Sequence, residues 1–257
     1  MTQTTEFTNR IVLVTGAARG IGAATATQLH QHGAIVVAAD HVFASSILTE
    51  HAPNWFQVKL DVTSQQGVQQ LVDNIERQIG AIEYLANVAG ILHMGSMLTV
   101  SIEQWQQTFA VNCHGAFYVC QCVADKMKAR RRGAIVAVGS NAAATPRVNM
   151  GAYCASKAAL NAMIKTLGLE LARFNIRCNI VAPGSTDTLM QQQLWRDAEG
   201  AKHTIAGDLD QFKVGIPLGR IASPNDIANS ILFLLSEHAR HITMTNLVVD
   251  GGATLGH

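Results

Sequence analysis

Short runs of apolar and β-branched residues alternate with longer amphipathic stretches along the whole chain of 257 residues. Residues 11–15 (IVLVT) and 34–40 (AIVVAAD) are apolar up to their last residue. Runs without a polar face are typical of parallel strands covered on both sides. Strands that alternate with helices form right-handed βαβ units. The pattern therefore predicts an α/β fold, with a doubly wound parallel sheet and helices on both faces, in one domain covering residues 1–257.

The alternation predicts seven strands and five helices. The strands are expected at residues 11–15, 34–40, 55–60, 82–87, 134–139, 176–182 and 245–250. The helices are expected at roughly residues 20–32, 64–79, 101–130, 151–174 and 224–235.

Residues 186–213 interrupt this alternation with a largely polar segment that follows a strand ending in Pro183 and Gly184. A long excursion at the carboxyl end of a strand lies beside the binding crevice of a parallel sheet. We therefore expect a substrate lid at residues 186–213.

The composition excludes several classes of protein. Hydrophobic residues make up 48% of the chain and charged residues 14%, so the chain can bury a sizeable core and is not a disordered protein. The net charge of +1 gives no electrostatic footprint for nucleic acid or a membrane surface. The N-terminus lacks the apolar core of a secretory signal, and the 5 cysteines show no metal-ligand spacing. We expect a cytoplasmic protein with no metal site.

The glycine-rich segment 15–22 (TGAARGIG) joins the first predicted strand to the first predicted helix. Gly16, Gly20 and Gly22 allow a tight turn and let a pyrophosphate approach the helix N-terminus beside Ile21. Unpaired N–H groups and the helix dipole favour an anion there. The segment predicts a dinucleotide site.

Asp40 ends the second predicted strand, at the position of the cofactor's adenosine ribose. Its carboxylate can accept hydrogen bonds from the ribose hydroxyls and would repel a 2′-phosphate. Arg19, in the glycine-rich segment, would offset part of that repulsion, but it lies farther from the ribose. The prediction is NAD rather than NADP.

Two further segments fit a cofactor site. Asp61 and Val62 follow the third predicted strand and could hold the adenine edge, although Asp61 could instead cap the next helix. Asn87, Ala89 and Gly90 follow the fourth strand, where small residues let the backbone lie close to the cofactor. On its own, this second segment would equally fit a buried turn.

Tyr153 and Lys157 are four residues apart on a predicted helix and therefore share one face. A tyrosine has a pKa of about 10, and a nearby ammonium favours its phenolate, which can act as a base. Ser140 ends the preceding strand and can orient a reacting alcohol. Taken alone, the Tyr153–Lys157 pair could be a chance pair of surface neighbours; the glycine-rich segment, Ser140 and Asn112 make a catalytic group the better interpretation.

Together these motifs resemble the short-chain dehydrogenase/reductase family, over nearly the whole chain. The resemblance rests on residues 15–22, 87–90, Asn112, Ser140, Tyr153, Lys157 and the turn at 183–184. It implies a seven-stranded parallel Rossmann sheet and a homotetramer. One departure is Val88, where the family usually has a second asparagine.

The same resemblance implies a role for each member of the catalytic group. Tyr153 would be the acid/base, and Lys157 would lower its pKa and bind the nicotinamide ribose. Ser140 would hold the substrate oxygen, and Asn112 would position a water in a proton relay. Pro183 and Gly184 would lie against the cofactor.

Other blocks resemble one branch of the family that oxidises a cyclic dihydrodiol acid. These blocks are residues 91–95, 105–112, 145–147, 183–191, 216–219 and 250–256. The resemblance implies an NAD-dependent oxidation of 2,3-dihydro-2,3-dihydroxybenzoate to 2,3-dihydroxybenzoate, a step in siderophore biosynthesis. The hydride would leave C3, with Tyr153 as the base.

A substrate carboxylate requires a cation or several N–H donors in the pocket. Arg147 is our candidate because it lies between Ser140 and Tyr153 in the sequence. Lys202, Lys213 and Arg196 in the 186–213 segment are rivals, and Arg147 could instead form a surface ion pair or a subunit contact. Met150 and Met190 are candidates for the apolar wall, and His93 could reach the pocket or be structural.

Two other functions compete with the dihydrodiol oxidation. One is a different enzyme of the same fold, such as another NAD-dependent alcohol dehydrogenase or a 3-oxoacyl thioester reductase. The other is a dinucleotide-sensing binding protein without catalysis. Such a protein would be expected to have lost Tyr153 or Lys157, and both are present.

Overall fold

A computed structural model describes residues 6–195 and 197–256. Its centre is an eight-stranded sheet in the order β3-β4-β2-β1-β5-β6-β7-β8. The strands are β1 Ile11–Thr15, β2 Ile35–Asp40, β3 Thr49–Ala52, β4 Trp55–Lys59, β5 Ile82–Asn87, β6 Gly133–Val138, β7 Ile176–Pro183 and β8 Asn246–Val249. All neighbouring pairs are parallel except β3 and β4.

Helices connect the parallel strands. They are α1 Gly20–Gln31, α2 Gln65–Gln78, α3 Ile102–Phe109, α4 Ala116–Arg130, α5 Gly151–Leu171, α6 Leu189–Gln192, α7 Gly200–Ala206 and α8 Pro224–Leu235. Several begin at side-chain caps that the sequence supplies. Ser64 caps α2, and the capping boxes of Ser101 and Ser223 begin α3 and α8.

The core has two layers, one on each face of the sheet. Alternate residues of β1 point to opposite layers: Leu13 packs with α2, α4 and α5, whereas Val12 and Val14 pack with α1 and α8. This explains why the run 11–15 is apolar at successive positions. The doubly wound α/β fold predicted from the sequence is confirmed.

The sheet has one strand more than predicted. The seven predicted strands are present, and β3 is added as an antiparallel edge strand beside β4. Its four residues, TEHA, are all exposed and carry no apolar pattern, so hydrophobicity could not reveal them. The hairpin turn is made by Pro53 and Asn54, which has a φ of 63°, a conformation that asparagine tolerates.

The predicted helix at 101–130 is interrupted. A π-helical turn at Ala110–Gly115 separates α3 from α4 and contains the buried Asn112. Such turns are rare and occur frequently at functional sites. Apolar periodicity continues through the turn, which is why the sequence predicts one long helix.

No helix in the described part of the chain is both long and apolar enough to cross a membrane. The five cysteines are free thiols, and burial raises the pKa of Cys120 to about 12. Within residues 6–195 and 197–256, no cluster of His, Cys, Asp or Glu could hold a metal ion.

Candidate active site

A cavity of about 1300 Å³ lies along the carboxyl ends of the parallel strands. The strand order reverses at β1, which has β2 on one side and β5 on the other, and such a switch point opens a crevice in α/β sheets. Apart from Asn87 and Asn112, each predicted cofactor, catalytic and substrate residue lines this one cavity; these are Gly16, Arg19, Gly20, Ile21, Gly22, Asp40, Asp61, Val62, Ala89, Gly90, Ser140, Arg147, Met150, Tyr153, Lys157, Pro183, Gly184 and Met190. Asn87 and Asn112 lie buried just behind its wall.

The glycine-rich segment fits closely against the loop after β5. Gly16 has a φ of +68°, and a Cβ there would lie 2.9 Å from the backbone of Ala89. A Cβ on Gly22 would lie 2.0 Å from the Gly16 carbonyl oxygen. Arg19 is the N-cap residue of α1, yet its side chain makes no capping bond, so the first N–H groups of the helix are open to a ligand at the cavity. These features fit a pyrophosphate.

Asp40 is buried at the end of β2, and both of its carboxylate oxygens are fixed. Oδ2 accepts a hydrogen bond of 3.0 Å from the Ala18 amide, and Oδ1 accepts one of 3.2 Å from the Val42 amide. His41 Nδ1 lies 3.1 Å from Oδ1. The carboxylate is therefore held rigidly at the cavity wall, where a ribose would meet it.

Asp61 is exposed, and its Oδ1 accepts hydrogen bonds from the amide and the hydroxyl of Thr63. The N-cap of α2 is Ser64 instead, so Asp61 organises the turn before the helix without capping it. Val62 is buried and contacts the π-helical turn, since a Cβ on Gly115 would lie 2.7 Å from its Cγ2.

Thr15 joins the two cofactor loops, a role that the sequence motif did not reveal. Its hydroxyl donates to Asn87 Oδ1 at 2.9 Å and accepts from the amides of Val88 and Ala89 at 3.1 and 3.2 Å. Asn87 Nδ2 in turn donates to the Ala116 carbonyl oxygen. The only signal in the sequence was the threonine directly before Gly16.

Asn112 holds the loop after Gly90 in place. Its Oδ1 accepts from the Ile91 amide at 2.8 Å, and its Nδ2 donates to the Ile91 carbonyl at 2.9 Å and to the Ser156 hydroxyl at 3.0 Å. A Cβ on Gly90 would lie 3.3 Å from both Asn112 Oδ1 and Lys157 Nζ, so these groups converge behind the loop. Ser156 is a second partner that sequence reasoning missed.

The structure brings Ser140, Tyr153 and Lys157 together. Ser140 follows β6, and its side chain acts on the Tyr153 hydroxyl, whose pKa it lowers. Lys157 Nζ lies 5.8 Å from the centre of the Tyr153 ring and donates to the Val138 carbonyl oxygen at 2.8 Å. The end of β6 and the first turns of α5 thus place these three side chains around one site that could bind an alcohol.

The electrostatics of this group differ from the sequence prediction. Burial raises the pKa of Tyr153 above its usual value, and the interaction with the Ser140 side chain lowers it by less. Burial also lowers the pKa of Lys157 from near 10.5 to about 8. In the ligand-free protein, therefore, the expected lowering of the tyrosine pKa by the ammonium is absent, because Lys157 is itself desolvated and bonded to a carbonyl.

Pro183 and Gly184 close the cavity at the end of β7. A Cβ on Gly184 would lie 2.5 Å from the Cβ of Asp250, so only glycine fits there. Asp250 accepts hydrogen bonds from Asn141 and Thr254, which tie the C-terminal loop to the turn after Ser140.

The 186–213 segment borders the other side of the cavity. Thr188 caps α6, which carries Met190, and α7 follows. Met150 lies opposite, at the N-cap of α5. Both methionines line the cavity and are half-buried.

Arg147 is half-buried at the cavity, and its guanidinium has no ion pair or hydrogen bond with any described residue. Among its rivals, Lys202 pairs with Glu199 and is 78% exposed, outside the cavity lining. Lys213 lines the cavity and donates to Gln211 Oε1 at 2.9 Å. Arg196 lies outside the described residues.

The comparisons with known proteins agree with this geometry. A family model described as enoyl-(acyl carrier protein) reductase matches residues 16–254. The chain is 49% identical to a 2,3-dihydro-2,3-dihydroxybenzoate dehydrogenase of Bacillus subtilis, over 96% of this chain and 97% of that protein. It is 47% identical to a vibriobactin-specific 2,3-dihydro-2,3-dihydroxybenzoate dehydrogenase of Vibrio cholerae, over 97% of each chain.

The solved structures agree as well. The aldohexose dehydrogenase of Thermoplasma acidophilum superposes with a TM-score of 0.85 at 28% identity, over 98% of this chain and 96% of that one. The glycine-rich segment, the Ser140–Tyr153–Lys157 group and these matches over nearly the full length lead to one conclusion: the chain belongs to the short-chain dehydrogenase/reductase family of oxidoreductases, which use a nicotinamide dinucleotide.

Proposed function

We propose that this protein oxidises 2,3-dihydro-2,3-dihydroxybenzoate to 2,3-dihydroxybenzoate with NAD, as a cytoplasmic step of siderophore biosynthesis. The observation that carries the proposal is the combination, in one cavity, of an alcohol site at Ser140 and Tyr153 with the guanidinium of Arg147, which is unpaired within residues 6–195 and 197–256. The substrate has the matching groups, a secondary alcohol and a carboxylate. The two relatives at 47–49% identity carry this activity in their names.

In this mechanism Tyr153 is the base and Ser140 orients the C3 hydroxyl. When bound, the nicotinamide ring supplies the hydride acceptor. The Tyr153 oxygen takes the hydroxyl proton as the hydride leaves C3, and the C3–O bond becomes a carbonyl. The C2 proton then moves to the C3 oxygen, which yields the catechol; aromatisation makes the oxidation favourable. Lys157, held by the Val138 carbonyl, would favour the phenolate and hold a ribose hydroxyl.

Asn112 is a positioning residue in this account. Both donors of its amide are used by Ile91 and Ser156, so the side chain fixes the loop beside the catalytic group. Only the second lone pair of Oδ1 is left for a water of the proton relay. We therefore assign the relay role of Asn112 to a single acceptor.

The preference for NAD is inferred from Asp40. A 2′-phosphate would lie against a buried carboxylate whose two oxygens are already bonded to backbone amides. Like charges at such a contact cost several kcal/mol. Arg19 is exposed and has no fixed position beside Asp40, so its compensation is small.

The proposal includes one catalytic domain over residues 1–257, a lid at residues 186–213 and a homotetramer. The lid is supported by its residues along one side of the cavity, among them Met190 and Trp195. The tetramer is supported by apolar side chains on the outer faces of the helices. Phe117 on α4 is 42% exposed, and Leu169 on α5 is 68% exposed.

The test is NADH formation from NAD⁺ with the trans-dihydrodiol acid, beside glycerol, a sugar and a 3-hydroxyacyl thioester. We expect turnover of the dihydrodiol alone at low micromolar enzyme.

Arg147→Ala should raise KM at least tenfold, since a charge-assisted contact is lost, whereas Lys202→Ala should not. Asp40→Ser should raise the use of NADP⁺ relative to NAD⁺ at least tenfold. Turnover of another alcohol without turnover of the dihydrodiol would refute the proposed substrate.

A further inference from the structure

His93 lies on the cavity wall, outside the catalytic group. Hydrogen bonds before and after His93 in the sequence fix its backbone. Asn112 forms hydrogen bonds with the amide and the carbonyl of Ile91, and the Gly95 amide donates to the Asn149 carbonyl at 2.9 Å. The segment therefore runs beside the start of α5, two residues before Tyr153. His93 is half-buried and lines the same cavity as Ser140 and Tyr153.

A hydrogen-bond chain fixes the tautomer of His93. Its Nδ1 lies 3.1 Å from Thr108 Oγ1, and Thr108 is completely buried on α3. The Thr108 hydroxyl donates to the Gln104 carbonyl oxygen at 2.7 Å. Because a hydroxyl has one proton, the Thr108 oxygen can only accept from the histidine. Nδ1 therefore carries the proton.

It follows that Nε2 of the neutral ring has a lone pair and no proton. Nε2 has no hydrogen-bond partner among the residues that the structure describes. Such a nitrogen accepts a hydrogen bond from a hydroxyl and repels a carboxylate oxygen. The ring on this part of the wall is thus suited to an alcohol and unsuited to the acid group.

We propose that His93 Nε2 accepts a hydrogen bond from the C2 hydroxyl of the dihydrodiol, and that His93 is a specificity-determining residue for vicinal diols. The inference rests on the proposed function, in which Ser140 and Tyr153 take the C3 oxygen and Arg147 takes the carboxylate. The C2 hydroxyl is then the remaining polar group of the substrate, and it requires an acceptor when it is buried. Thr108 is a positioning residue, because it orients the proton on His93.

The experiment compares two substrates, the dihydrodiol acid and its analogue without the C2 hydroxyl, under the same conditions. The readout is the ratio of kcat/KM for the diol to kcat/KM for the analogue. In His93→Phe this ratio should fall roughly tenfold, as expected for one lost hydrogen bond in a buried site. His93→Gln, which can place an amide oxygen near Nε2, should recover most of the ratio. An unchanged ratio in His93→Phe would overturn the proposal.

A second readout does not depend on turnover. Nitrogen-15 NMR of the histidine rings distinguishes protonated from unprotonated nitrogens, and the His93 signals are identified among the 10 histidines by their loss in His93→Phe. We expect protonated Nδ1 in the wild type and in Thr108→Ser, and a loss of that preference in Thr108→Val, together with a lower diol ratio. A proton on Nε2 in the wild type would overturn the proposal. If the wild type oxidises neither compound, the proposed function itself fails; turnover with an unchanged ratio refutes only the role of His93.

Discussion

Lys157 combines a catalytic position with an unfavourable environment. It is 3% exposed, and among the residues that the structure describes its ammonium has one partner, the Val138 carbonyl oxygen. Burial of a charge that is not paired with a carboxylate costs free energy, which is why the pKa of Lys157 falls to about 8. Function therefore places a group in the core that a purely structural core would exclude.

This environment predicts the pH dependence of stability. Between about pH 8 and pH 10.5 the folded state has lost the Lys157 proton while the unfolded chain still binds it, so the free energy of unfolding rises with pH. Relative to Lys157→Met, the wild type should gain up to about 1.4 kcal/mol per pH unit in this interval. Urea unfolding of both proteins at several pH values measures the difference.

Lys165→Met is the matched control, because Lys165 lies on the exposed face of the same helix. Its unfolding free energy should follow the wild type at each pH. If the unfolding free energies of the wild type and Lys157→Met run parallel between pH 8 and pH 10, then burial does not lower the pKa of Lys157.

At this scale the sequence predicted which side chains form the site but not what holds them. The spacing of Tyr153 and Lys157 places both on one helix face, and the structure brings them to the same cavity. The partners of Lys157 and Asn112 include backbone carbonyls, whose positions have no signature in residue identity. In the ligand-free protein the pKa of Tyr153 is raised and not lowered, because burial dominates and desolvation depends on packing.

Among the elements, the turn from β1 to α1 depends most on residue size. Gly16 has a φ of +68° and backbone 2.9 Å from the position of a Cβ. Gly219 has nearly the same φ, +67°, with nothing within 4 Å of that position. The two glycines therefore separate backbone strain from close approach.

We predict different outcomes for alanine at these two positions. Gly219→Ala should lose about 1 kcal/mol of stability through left-handed strain alone and keep its affinity for NADH. Gly16→Ala should lose more stability and at least tenfold in NADH affinity, since the loop after β5 must move away. Thermal unfolding and NADH fluorescence titration measure both effects. Equal NADH affinity in the two variants would contradict the close fit between the loops.

Two elements leave no hydrophobic signal in the sequence, for physical reasons. The edge strand β3 is exposed along its whole length, so its pairing with β4 is specified by the turn at Asn54 and not by burial. The hydrogen bonds of the π-helical turn at Ala110–Gly115 span one residue more than those of an α-helix, a change that hydrophobic periodicity cannot resolve over six residues.

At the scale of the whole molecule, the exposed apolar residues can be substituted to test the proposed tetramer. Phe117 and Leu169 lie exposed on neighbouring helices, α4 and α5, which pack against each other. The double variant Phe117→Asp/Leu169→Asp should dissociate a tetramer, giving a particle of lower mass by light scattering. Ile47→Asp, at a 75% exposed loop position near the sheet edge, is the control and should leave the mass at four chains. A wild-type particle of one chain would contradict the tetramer.

At the same scale the order of segments determined most of the architecture. Alternating strands and helices in one chain allow few arrangements once crossovers are right-handed. The sheet then brings residues from positions 16 to 190 to the carboxyl ends of its parallel strands, where the motifs predict the cofactor and the substrate to bind. The shape of the 186–213 segment was not predictable, because its short helices α6 and α7 depend on contacts around the cavity.

In the proposed reaction the hydride leaves C3 of the dihydrodiol acid for NAD⁺ while Tyr153 takes the proton of the C3 hydroxyl. Incubation of substrate labelled with deuterium at C3, followed by mass spectrometry of the reduced dinucleotide, tests it most directly. We predict one deuterium in the NADH, formation of unlabelled 2,3-dihydroxybenzoate, and loss of both products in Tyr153→Phe. Unlabelled NADH, or full turnover by Tyr153→Phe, would contradict the account.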